Sequence, residues 1–486
     1  MAQDTKNLIG LAGVPLVMVL GNSMLIPVLT TMKNKMDLTA FQTSFLITAF
    51  SIAAGIVIPF AGYFSDRFNR KVVITIALSL YGIGGLIAGL AALWFDDPYT
   101  LIITGRVLQG IGAAGTAPIA MALVGDLFNG ASESRALGLL ETSNGLGKVL
   151  SPIIGSLLAI IAWYMVFLAF PILCGVVLVI FLFLVKEKKQ KKEPMPVKQY
   201  VQSIKMVFKK NGKWLVPAFF IGSICLFTLF GVLFYLSDLL EEKYKIDGVL
   251  KGGFLAIPLL AMSTTAYITG AAIKKNLKLM RALIVIGMLL LSTSYLIASF
   301  VKGIYWLIGV LVIGSVGTGL ILPCLNSMII GAVKKSERGM ITSLYNGVRF
   351  IGVAIGPPVF TWLLEFSTDV MFYSITGLAL VFAIIAFFFV KPTNNQKQAQ
   401  EDQQGQEAKG KENATADEQN ETDDDEKKKN MAAFEQLLED MRAGNVLGEI
   451  RNIADERKEN DNKKGMLGYH PPRPAILFRR RQKEKT

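Results

Sequence analysis

Long apolar runs alternate with short polar segments along the first 390 residues of the chain, and beyond them the pattern stops. An apolar run of about 20 residues is long enough to cross the hydrocarbon core of a bilayer as a helix. Twelve runs reach this length, so the pattern predicts an all-α integral membrane protein with twelve transmembrane helices. The runs are centred within residues 8–31, 40–61, 72–95, 99–125, 137–160, 163–185, 214–238, 251–273, 281–301, 304–333, 341–364 and 371–390.

A basic segment at residues 186–213 divides the runs into six and six. Apolar residues at helical spacing in its second part predict an amphipathic helix on the inner leaflet, held there by lysines; a solvated linker is the alternative. The predicted domains are an N-terminal six-helix bundle (1–185), this cytoplasmic linker (186–213), a C-terminal six-helix bundle (214–391) and a cytoplasmic tail (392–486). The apolar positions of the linker helix are Val197, Tyr200, Val201, Ile204, Val207 and Phe208.

The tail differs from the rest of the chain in composition. Residues 393–430 are polar and include no aromatic residue, a composition typical of disorder. From residue 431, apolar positions predict one or two short amphipathic helices, broken near Gly444. A return to the membrane surface, binding of a cytoplasmic partner and dispensability all remain open for this segment.

Two pairs of segments repeat between the halves. GYFSDRFNRK at 62–71 lies 208 residues before GAAIKKNLKL at 270–279, and each follows the second span of its half. GKVLSP at 147–152 lies 205 residues before GVAIGP at 352–357, and each falls in a fifth span. Two related six-helix halves, with a binding site at their interface near the midplane, form a plan shared by many secondary transporters.

Composition excludes several other classes of protein. Charged residues make up 18% of the chain, against about 25% in soluble domains, which excludes a soluble enzyme and a basic nucleic-acid-binding domain. The only histidine, His470, lies in the tail, so the spans hold no histidine-based catalytic pair, zinc site or proton relay. The three cysteines, Cys174, Cys225 and Cys324, each lie in an apolar run, which is typical of small residues packed in the core. HExxH and GxSxG motifs are absent, and we expect no enzymatic activity, cofactor or metal.

The distribution of Lys and Arg predicts the orientation, because cytoplasmic loops carry an excess of both. With the N-terminus inside, the inner segments before the tail hold 22 of these residues and the outer loops hold six. Both termini are therefore predicted to be cytoplasmic. The six outer residues are Lys33, Lys35, Lys243, Lys245, Lys251 and Lys302.

Three motifs, in order and on the expected elements, carry a family resemblance. Gly62-Tyr-Phe-Ser-Asp66-Arg67-Phe-Asn-Arg70-Lys71 resembles the signature between the second and third spans of the major facilitator superfamily. Arg106-Val-Leu-Gln109-Gly110-Ile-Gly112 resembles its fourth-span motif, and Gly147-Lys-Val-Leu-Ser151-Pro152-Ile-Ile-Gly155 resembles the fifth-span motif of its drug:proton antiporters.

The resemblance covers residues 1–390. It implies the fold of that superfamily, with two pseudo-symmetric six-helix bundles that work by alternating access. The chain looks like a bacterial exporter of the multidrug or tetracycline type, a multi-pass protein of the plasma membrane that functions as a monomer. The energy source implied is a proton gradient, with no cofactor.

The fifth-span motif departs from the family pattern. Ser151 and Ser156 replace two expected glycines, and Lys148 places a cation inside the motif. Small residues at i, i+4 spacing let helix backbones approach closely, so this stripe predicts a tight seam. The motif and its repeat in the eleventh span comprise Gly147, Ser151, Pro152, Gly155, Gly352, Gly356 and Pro357.

Charged residues at the inner ends of the second to fourth spans resemble the family's cytoplasmic latch. Such a latch holds the inner gate shut with an Asp near a helix N-terminus, where an anion is favoured by about 0.3–1 kcal/mol. The alternative is that the basic residues serve only the positive-inside topology. The second half carries Lys274 at the position of Asp66. The candidate gate residues are Gly62, Asp66, Arg67, Arg70, Lys71 and Asp126.

Polar residues inside the spans predict a substrate cavity, because an ionisable residue there costs about 2.5–3.5 kcal/mol and normally faces the bundle interior. Glu141, Asn144 and Lys148 share one face of the fifth span. Asn346 and Arg349 share a face of the eleventh, so both fifth-position helices present a cation and an amide. The candidate cavity residues are Asn22, Arg106, Asn144, Lys148, Asn326, Asn346 and Arg349.

Glu141 is the candidate for proton coupling, because a carboxyl near a cation and a closing cavity changes its proton affinity between conformations. The alternative is a static pair of Glu141 with Lys148 or Arg106 that only offsets the cost of burial. Asp238, near the outer end of the seventh span, is a weaker second candidate.

The excess of cations predicts the substrate class. Three cations and one carboxylate favour an anionic or zwitterionic amphiphile, such as a carboxylate or catecholate metabolite, an acidic antibiotic or a lipid-linked headgroup. Proton-coupled efflux of such a compound is the main hypothesis; a flippase for a lipid-linked anion and an importer are the alternatives. The expected partners are this small or lipid-like substrate and membrane lipids, with no nucleic acid.

Overall fold

The apolar runs fold as long helices, and no strand occurs among the described residues. The computed structural model describes residues 2–390, apart from 129, 188–195, 274–275 and 334–336, together with 431–432, 435 and 439. The side chains at 2, 66, 130, 131 and 134 also lie outside the description. The predictions for the tail therefore fall almost entirely outside the described residues.

The helices before residue 190 are α1 (Ala2–Ser23), a 3₁₀ turn (Ile26–Val28), α2 (Leu29–Lys35), α3 (Ala40–Arg67), α4 (Arg70–Trp94), α5 (Tyr99–Ala114), α6 (Ala117–Leu127), α7 (Gly130–Ile161) and α8 (Met165–Leu184). The later helices are α9 (Val197–Glu242), α10 (Gly248–Ala272), α11 (Leu277–Ala298), α12 (Ile304–Gly331), α13 (Arg338–Phe366) and α14 (Thr368–Phe389).

Twelve helical stretches of the described chain are long and apolar enough to cross a membrane, which confirms the predicted number of spans. Two of these spans are interrupted. The first, Gln3–Lys35, joins α1 and α2 through the turn that contains Pro27, and the fourth, Tyr99–Leu127, joins α5 and α6. Proline lacks an N–H group and clashes with the preceding helical turn, which favours the break at Pro27; Pro15 and Pro59 nevertheless lie inside unbroken helices.

The two halves, α1–α8 and α9–α14, repeat the same local contacts. The Asn69 side chain caps the N-terminus of α4, and the Asn276 side chain caps α11, the equivalent helix. A Cβ on Gly84 would lie 2.6 Å from the carbonyl oxygen of Gly105, and a Cβ on Gly287 the same distance from that of Gly317. The pseudo-symmetry predicted from the sequence therefore extends to the backbone packing.

The halves meet along two helix pairs, α3 with α13 and α7 with α10. Glycines permit both close approaches. A Cβ on Gly55 of α3 would lie 3.0 Å from the carbonyl oxygen of Gly347 on α13. A Cβ on Gly252 of α10 would lie 2.6 Å from the carbonyl oxygen of Pro152 on α7.

The linker helix differs from the predicted boundary at residue 213, because α9 runs without a break from Val197 to Glu242. Its first turns also contact the N-terminal half, because the centroids of the Tyr200 ring and the Tyr63 ring of α3 lie 5.0 Å apart. Val207, two turns later, is buried. One face of the amphipathic segment thus packs on protein, while Val201 on another face is exposed.

Three lysines that the sequence placed in outer loops lie in helices. Lys33 and Lys35 belong to α2, and Lys251 lies in the first turn of α10 with 1% of its surface exposed. The sequence analysis took the end of each apolar run as the end of a helix. The helices extend beyond these ends, so lysines in their terminal turns were assigned to loops.

Candidate functional site

The fifth helix of each half is held against the first helix of the same half. A Cβ on Gly147 of α7 would lie 3.2 Å from the carbonyl oxygen of Leu16 on α1, and Gly155 packs directly on the carbonyl of Met24. Any side chain larger than hydrogen would separate the two helices at these points. The small-residue stripe predicted for this motif therefore forms a tight seam within the N-terminal half.

The repeat of this motif on α13 packs in the same way on α9. Gly352 lies against the carbonyl of Ser223, and a Cβ on Gly356 would lie 2.5 Å from that of Phe227. Both seams fix the rotation of the helix about its own axis. They thereby fix the direction in which the polar residues of α7 and α13 point.

Lys148 on α7 and Arg349 on α13 form a cation pair contributed by opposite halves. Each is half-buried, and the Lys148 ammonium interacts electrostatically with both Arg349 and Glu141. Arg349 donates through Nη1 to Asn346 Oδ1 at 3.2 Å, and its guanidinium carbon lies 5.3 Å from the centroid of the Tyr345 ring. The two cations therefore act on each other across the halves, and their common place in a substrate cavity stays a prediction.

Two polar atoms beside the cation pair have no hydrogen-bond partner among the described residues. They are Nε of Arg349 and Oδ1 of Asn144, and both atoms are buried. Buried polar groups are nearly always hydrogen-bonded in native proteins, so unsatisfied atoms at such a place indicate a site for a ligand or water. Asn326, the candidate cavity residue on α12, is half-buried.

Glu141 lies on α7 seven residues before Lys148, which is about 10 Å along the helix. Its side chain is exposed, and within the described chain it makes no ion pair at 4.0 Å or less with a basic residue. Its coupling to Lys148 is therefore through space rather than through a fixed contact. This geometry differs from the static pair with Lys148 or Arg106 that the sequence left open.

Arg106 on α5 is fully buried, with 0% of its surface exposed. It donates to the carbonyl oxygens of Leu46 and Gly21 at 3.0 and 2.9 Å, to Gln109 Oε1 at 2.8 Å and to Asn22 Oδ1 at 2.5 Å. Its guanidinium also lies 4.5 Å from the ring centroid of Phe50. Arg106 thus ties α5 to α1 and α3.

Asn22 is part of the same buried network, because its amide nitrogen donates to Ser51 Oγ at 2.8 Å. With 5% of its surface exposed and both ends of its amide engaged, it has no group to offer a substrate in this conformation. The sequence placed Arg106 and Asn22 on a cavity surface; the structure places both in the packing between helices of the N-terminal half.

The gate motif is assembled as an ion pair and a set of helix-end contacts. Arg70 Nε lies 3.1 Å from Asp126 Oδ2, joining the start of α4 to the end of α6. Lys71 donates to the carbonyl oxygens of Leu182 and Val185 at 2.8 and 2.6 Å, at the end of α8. A cation at a helix C-terminus is favourable, so Lys71 stabilises the end of α8; a latch formed by these residues stays a prediction.

Two further gate residues are placed by α3. A Cβ on Gly62 would lie 2.9 Å from the Cβ of Ser343 on α13, so the inner end of α3 touches the other half. Arg67 is exposed and donates to the Tyr63 hydroxyl at 3.3 Å. The side chain of Asp66 lies outside the description, and its role in the gate stays a prediction.

Glu187 is a gate residue that the sequence reasoning missed. Its carboxylate accepts hydrogen bonds from the backbone N–H groups of Arg70 and Lys71 at 3.2 and 2.8 Å. An anion that accepts the free N–H groups at a helix N-terminus stabilises that end. The signal in the sequence is weak, because Glu187 is one of two carboxylates in the basic segment that follows the sixth span.

No group of three or more His, Cys, Asp or Glu side chains that could hold a metal ion occurs in the described part of the chain. Cys174, Cys225 and Cys324 are free and buried.

Comparisons with known proteins agree with this geometry. The family model described as Major Facilitator Superfamily matches residues 11–285 and 279–447. The chain is 46% identical over 399 residues to the Bacillibactin exporter of Bacillus subtilis (strain 168), a match that covers 82% of this chain and 98% of that protein. It is 26% identical over 384 residues to Multidrug resistance protein 1 of the same organism, covering 75% and 92%.

Solved structures show the same fold at low sequence identity. The human organic anion transporter MFSD10 (TETRAN) matches with a TM-score of 0.61 at 16% identity, over 79% of this chain and 99% of that chain. A bacterial homolog to the human lysosomal transporter Spinster, in an inward-facing and unoccupied conformation, matches with a TM-score of 0.63 at 15% identity, over 82% and 98%.

Proposed function

The chain belongs to the Major Facilitator Superfamily and is a multi-pass membrane transporter, and from its cation pair we propose that it exports an anionic or zwitterionic amphiphile in exchange for protons. The membrane is the bacterial plasma membrane, with both termini in the cytoplasm. The two halves alternate access to a central site near the midplane.

The observation that carries the proposal is the cation pair. Lys148 and Arg349 come from opposite halves, interact electrostatically, and are accompanied by an unpartnered guanidinium nitrogen on Arg349. Two cations near each other in a region of low dielectric repel, and an anion between them removes the repulsion. A planar guanidinium recognises carboxylate and similar anions through paired hydrogen bonds. An anion would therefore contact both halves at once.

The amide of Asn144 adds a second feature. Its buried Oδ1 atom has no described partner and can only accept a hydrogen bond. A substrate that satisfies this site carries an anionic group for the cations and a donor such as a hydroxyl or amide N–H. Carboxylate and catecholate metabolites offer both. The relative at 46% identity is named for export of bacillibactin, so bacillibactin is the first compound to test.

Proton coupling is assigned to Glu141. Protonation of this carboxyl raises the net charge around Lys148 by one, whereas binding of an anionic substrate lowers it by one or more. Proton and substrate therefore bias the electrostatic free energy of the cation pair in opposite directions. Two ligands that shift one conformational equilibrium in opposite directions can be exchanged across a membrane.

The test uses inside-out vesicles with an imposed pH gradient and matched anionic and cationic fluorescent amphiphiles, with bacillibactin as a further substrate. Gradient-driven uptake of the anion is expected. Glu141→Gln should abolish the dependence on the gradient, and Lys148→Gln and Arg349→Gln should each abolish uptake. Lys302→Gln, which removes an exposed cation from an outer loop, is the matched control and should transport normally.

Two outcomes would overturn the proposal. Uptake of the cationic probe that ignores Glu141→Gln would refute both the substrate class and the coupling residue. Undiminished anion uptake in Lys148→Gln and Arg349→Gln would show that the cation pair does not bind the substrate.

A further inference from the structure

The ends of the spans opposite the gate motif hold a second group of charged residues. Thr30, Thr31 and Lys33 lie on α2, Glu241 and Glu242 lie at the end of α9, and Lys251 lies at the start of α10. We call these six residues the outer polar cluster. None of them belongs to the motifs that identify the family.

Contacts of the outer polar cluster join the two halves. Lys33 Nζ lies 2.8 Å from Glu242 Oε1, and the Thr31 hydroxyl donates to Glu241 Oε1 at 3.4 Å. Lys251 Nζ donates to Thr30 Oγ1 at 3.3 Å. One helical turn deeper, the Ser237 hydroxyl donates to the carbonyl oxygen of Ile26 at 2.8 Å. This end of the interface between the halves is therefore closed by polar contacts.

Lys251 is the most deeply placed member. Its side chain is 1% exposed, and its ammonium lies 2.6 Å from Glu241 Oε2. A buried ammonium requires a partner, and removing that partner leaves an uncompensated charge. Because Lys251 and Glu241 both belong to the C-terminal half, their pair survives when the halves separate. Its contact with Thr30 does not.

Only contacts that differ between two conformations bias the equilibrium between them. By this criterion the Lys33–Glu242 pair, the Thr31–Glu241 bond and the Lys251–Thr30 bond favour the closed outer end, since each is broken on opening. We propose that the outer polar cluster is the outer gate of the transporter, with Lys33 and Glu242 as its ion pair and Lys251 presenting Glu241 to α2.

The charge count makes the gate asymmetric. Lys33 also lies 4.0 Å from Asp238, so three carboxylates on α9 face two lysines. When the gate opens, Glu242 and Asp238 on α9 lose Lys33, whereas Lys251 stays beside Glu241. Lys33 is 26% exposed and Glu242 48%, so water and salt reach this pair even in the closed form.

The experiment measures opening directly, without any substrate. A reporter Ser263→Cys is placed on α10 below the gate, where the native hydroxyl donates to the carbonyl of Gly145 on α7 at 3.4 Å. A membrane-impermeant thiol reagent is added to intact cells, and the rate of modification is followed. The parent chain, whose three cysteines are buried, gives the background.

Reversal of either charge, Lys33→Glu or Glu242→Lys, should raise the modification rate by up to about fivefold, the range expected for an exposed ion pair. The double reversal should restore most of the parent rate, falling short of full restoration because Asp238 stays close to position 33. Lys35→Glu is the matched control on the same short helix, with an exposed side chain, and should leave the rate unchanged.

Thr30→Val and Thr31→Val keep the side-chain volume and remove the two hydroxyl contacts, and both should also raise the rate. Unchanged rates in all four single variants would refute the gate, as would a double reversal that folds but modifies as fast as the single variants. The inference rests on the family's transport activity and not on the substrate. A working gate with no anion transport would refute only the proposed function.

Discussion

Replacing Arg106 by Lys separates a structural role from a role in substrate binding. The substitution keeps the positive charge and removes the planar fork of donors. In the structure that fork reaches four acceptors on α1, α3 and α5: the carbonyl oxygens of Gly21 and Leu46, Asn22 Oδ1 and Gln109 Oε1. A lysine ammonium has three donors on a single atom and cannot span these positions.

The magnitude follows from the hydrogen bonds that a lysine cannot make. About two of the four should disappear, and hydrogen bonds between membrane helices contribute about 0.6 kcal/mol on average and about 1.7 kcal/mol at most. Arg106→Lys should therefore lower the free energy of unfolding by about 1–3 kcal/mol. A weaker interaction with the Phe50 ring acts in the same direction.

The assay compares unfolding of the purified protein in detergent with substrate binding by the folded fraction. Arg349→Lys is the matched variant, since Arg349 is half-buried beside Asn346 and holds a single described hydrogen bond. We expect Arg106→Lys to lose stability and keep its affinity, and Arg349→Lys to lose affinity and keep its stability. An Arg106→Lys protein of normal stability and weakened binding would refute the structural assignment.

Two further predictions concern packing and the inner gate. Gly155→Val should prevent folding or transport because any Cβ there meets the backbone of Met24, directly after α1, whereas Gly175→Val on α8, with open space around it, should be tolerated; yield and vesicle uptake measure both. Arg70→Asp should impair transport because it breaks the 3.1 Å ion pair with Asp126. Adding Asp126→Arg should restore the pair with reversed charges and recover part of the transport activity. A well-folded double variant without any recovery would contradict a role of this ion pair in the gate.

The fold could be predicted from the sequence because each of its determinants is local. Twelve apolar runs of sufficient length are visible without any tertiary information. The break at Pro27 was not predicted, because other prolines of the chain lie inside unbroken helices. The repeat at fixed offsets predicted equivalent helices in the two halves, and the caps at Asn69 and Asn276 agree with it.

The site could be predicted only in part, because helical spacing shows which residues share a face and not what that face meets. Lys148 and Arg349 were expected to face one cavity; they interact electrostatically across the halves, and the cavity itself stays a prediction. Arg106 satisfied the same rule for charged residues in spans, yet its face meets the carbonyls of α1 and α3 instead of a cavity. That distinction depends on the rotation of α5, which its neighbours set.

The outer polar cluster was invisible for a different reason. Lys33, Glu242 and Lys251 lie at helix ends, where charged residues are common and normally solvated. Their pairing depends on which helix ends of the two halves are neighbours, and that in turn depends on how the bundles dock. Hydropathy and motif spacing carry no information about docking.

The two ends of the interface are built from different interactions, and this difference affects the resting state. Toward the end that carries the gate motif, α3 and α13 touch through small residues: Gly55 against Gly347, and Gly62 against Ser343. Such contacts allow close approach but hold little energy beyond dispersion when helices separate in a membrane. At the outer end, opening breaks an ion pair and several hydrogen bonds. On the proposed orientation and outer gate, we therefore expect an empty transporter to favour the conformation that is closed at the outer end, with its proposed substrate site open to the cytoplasm.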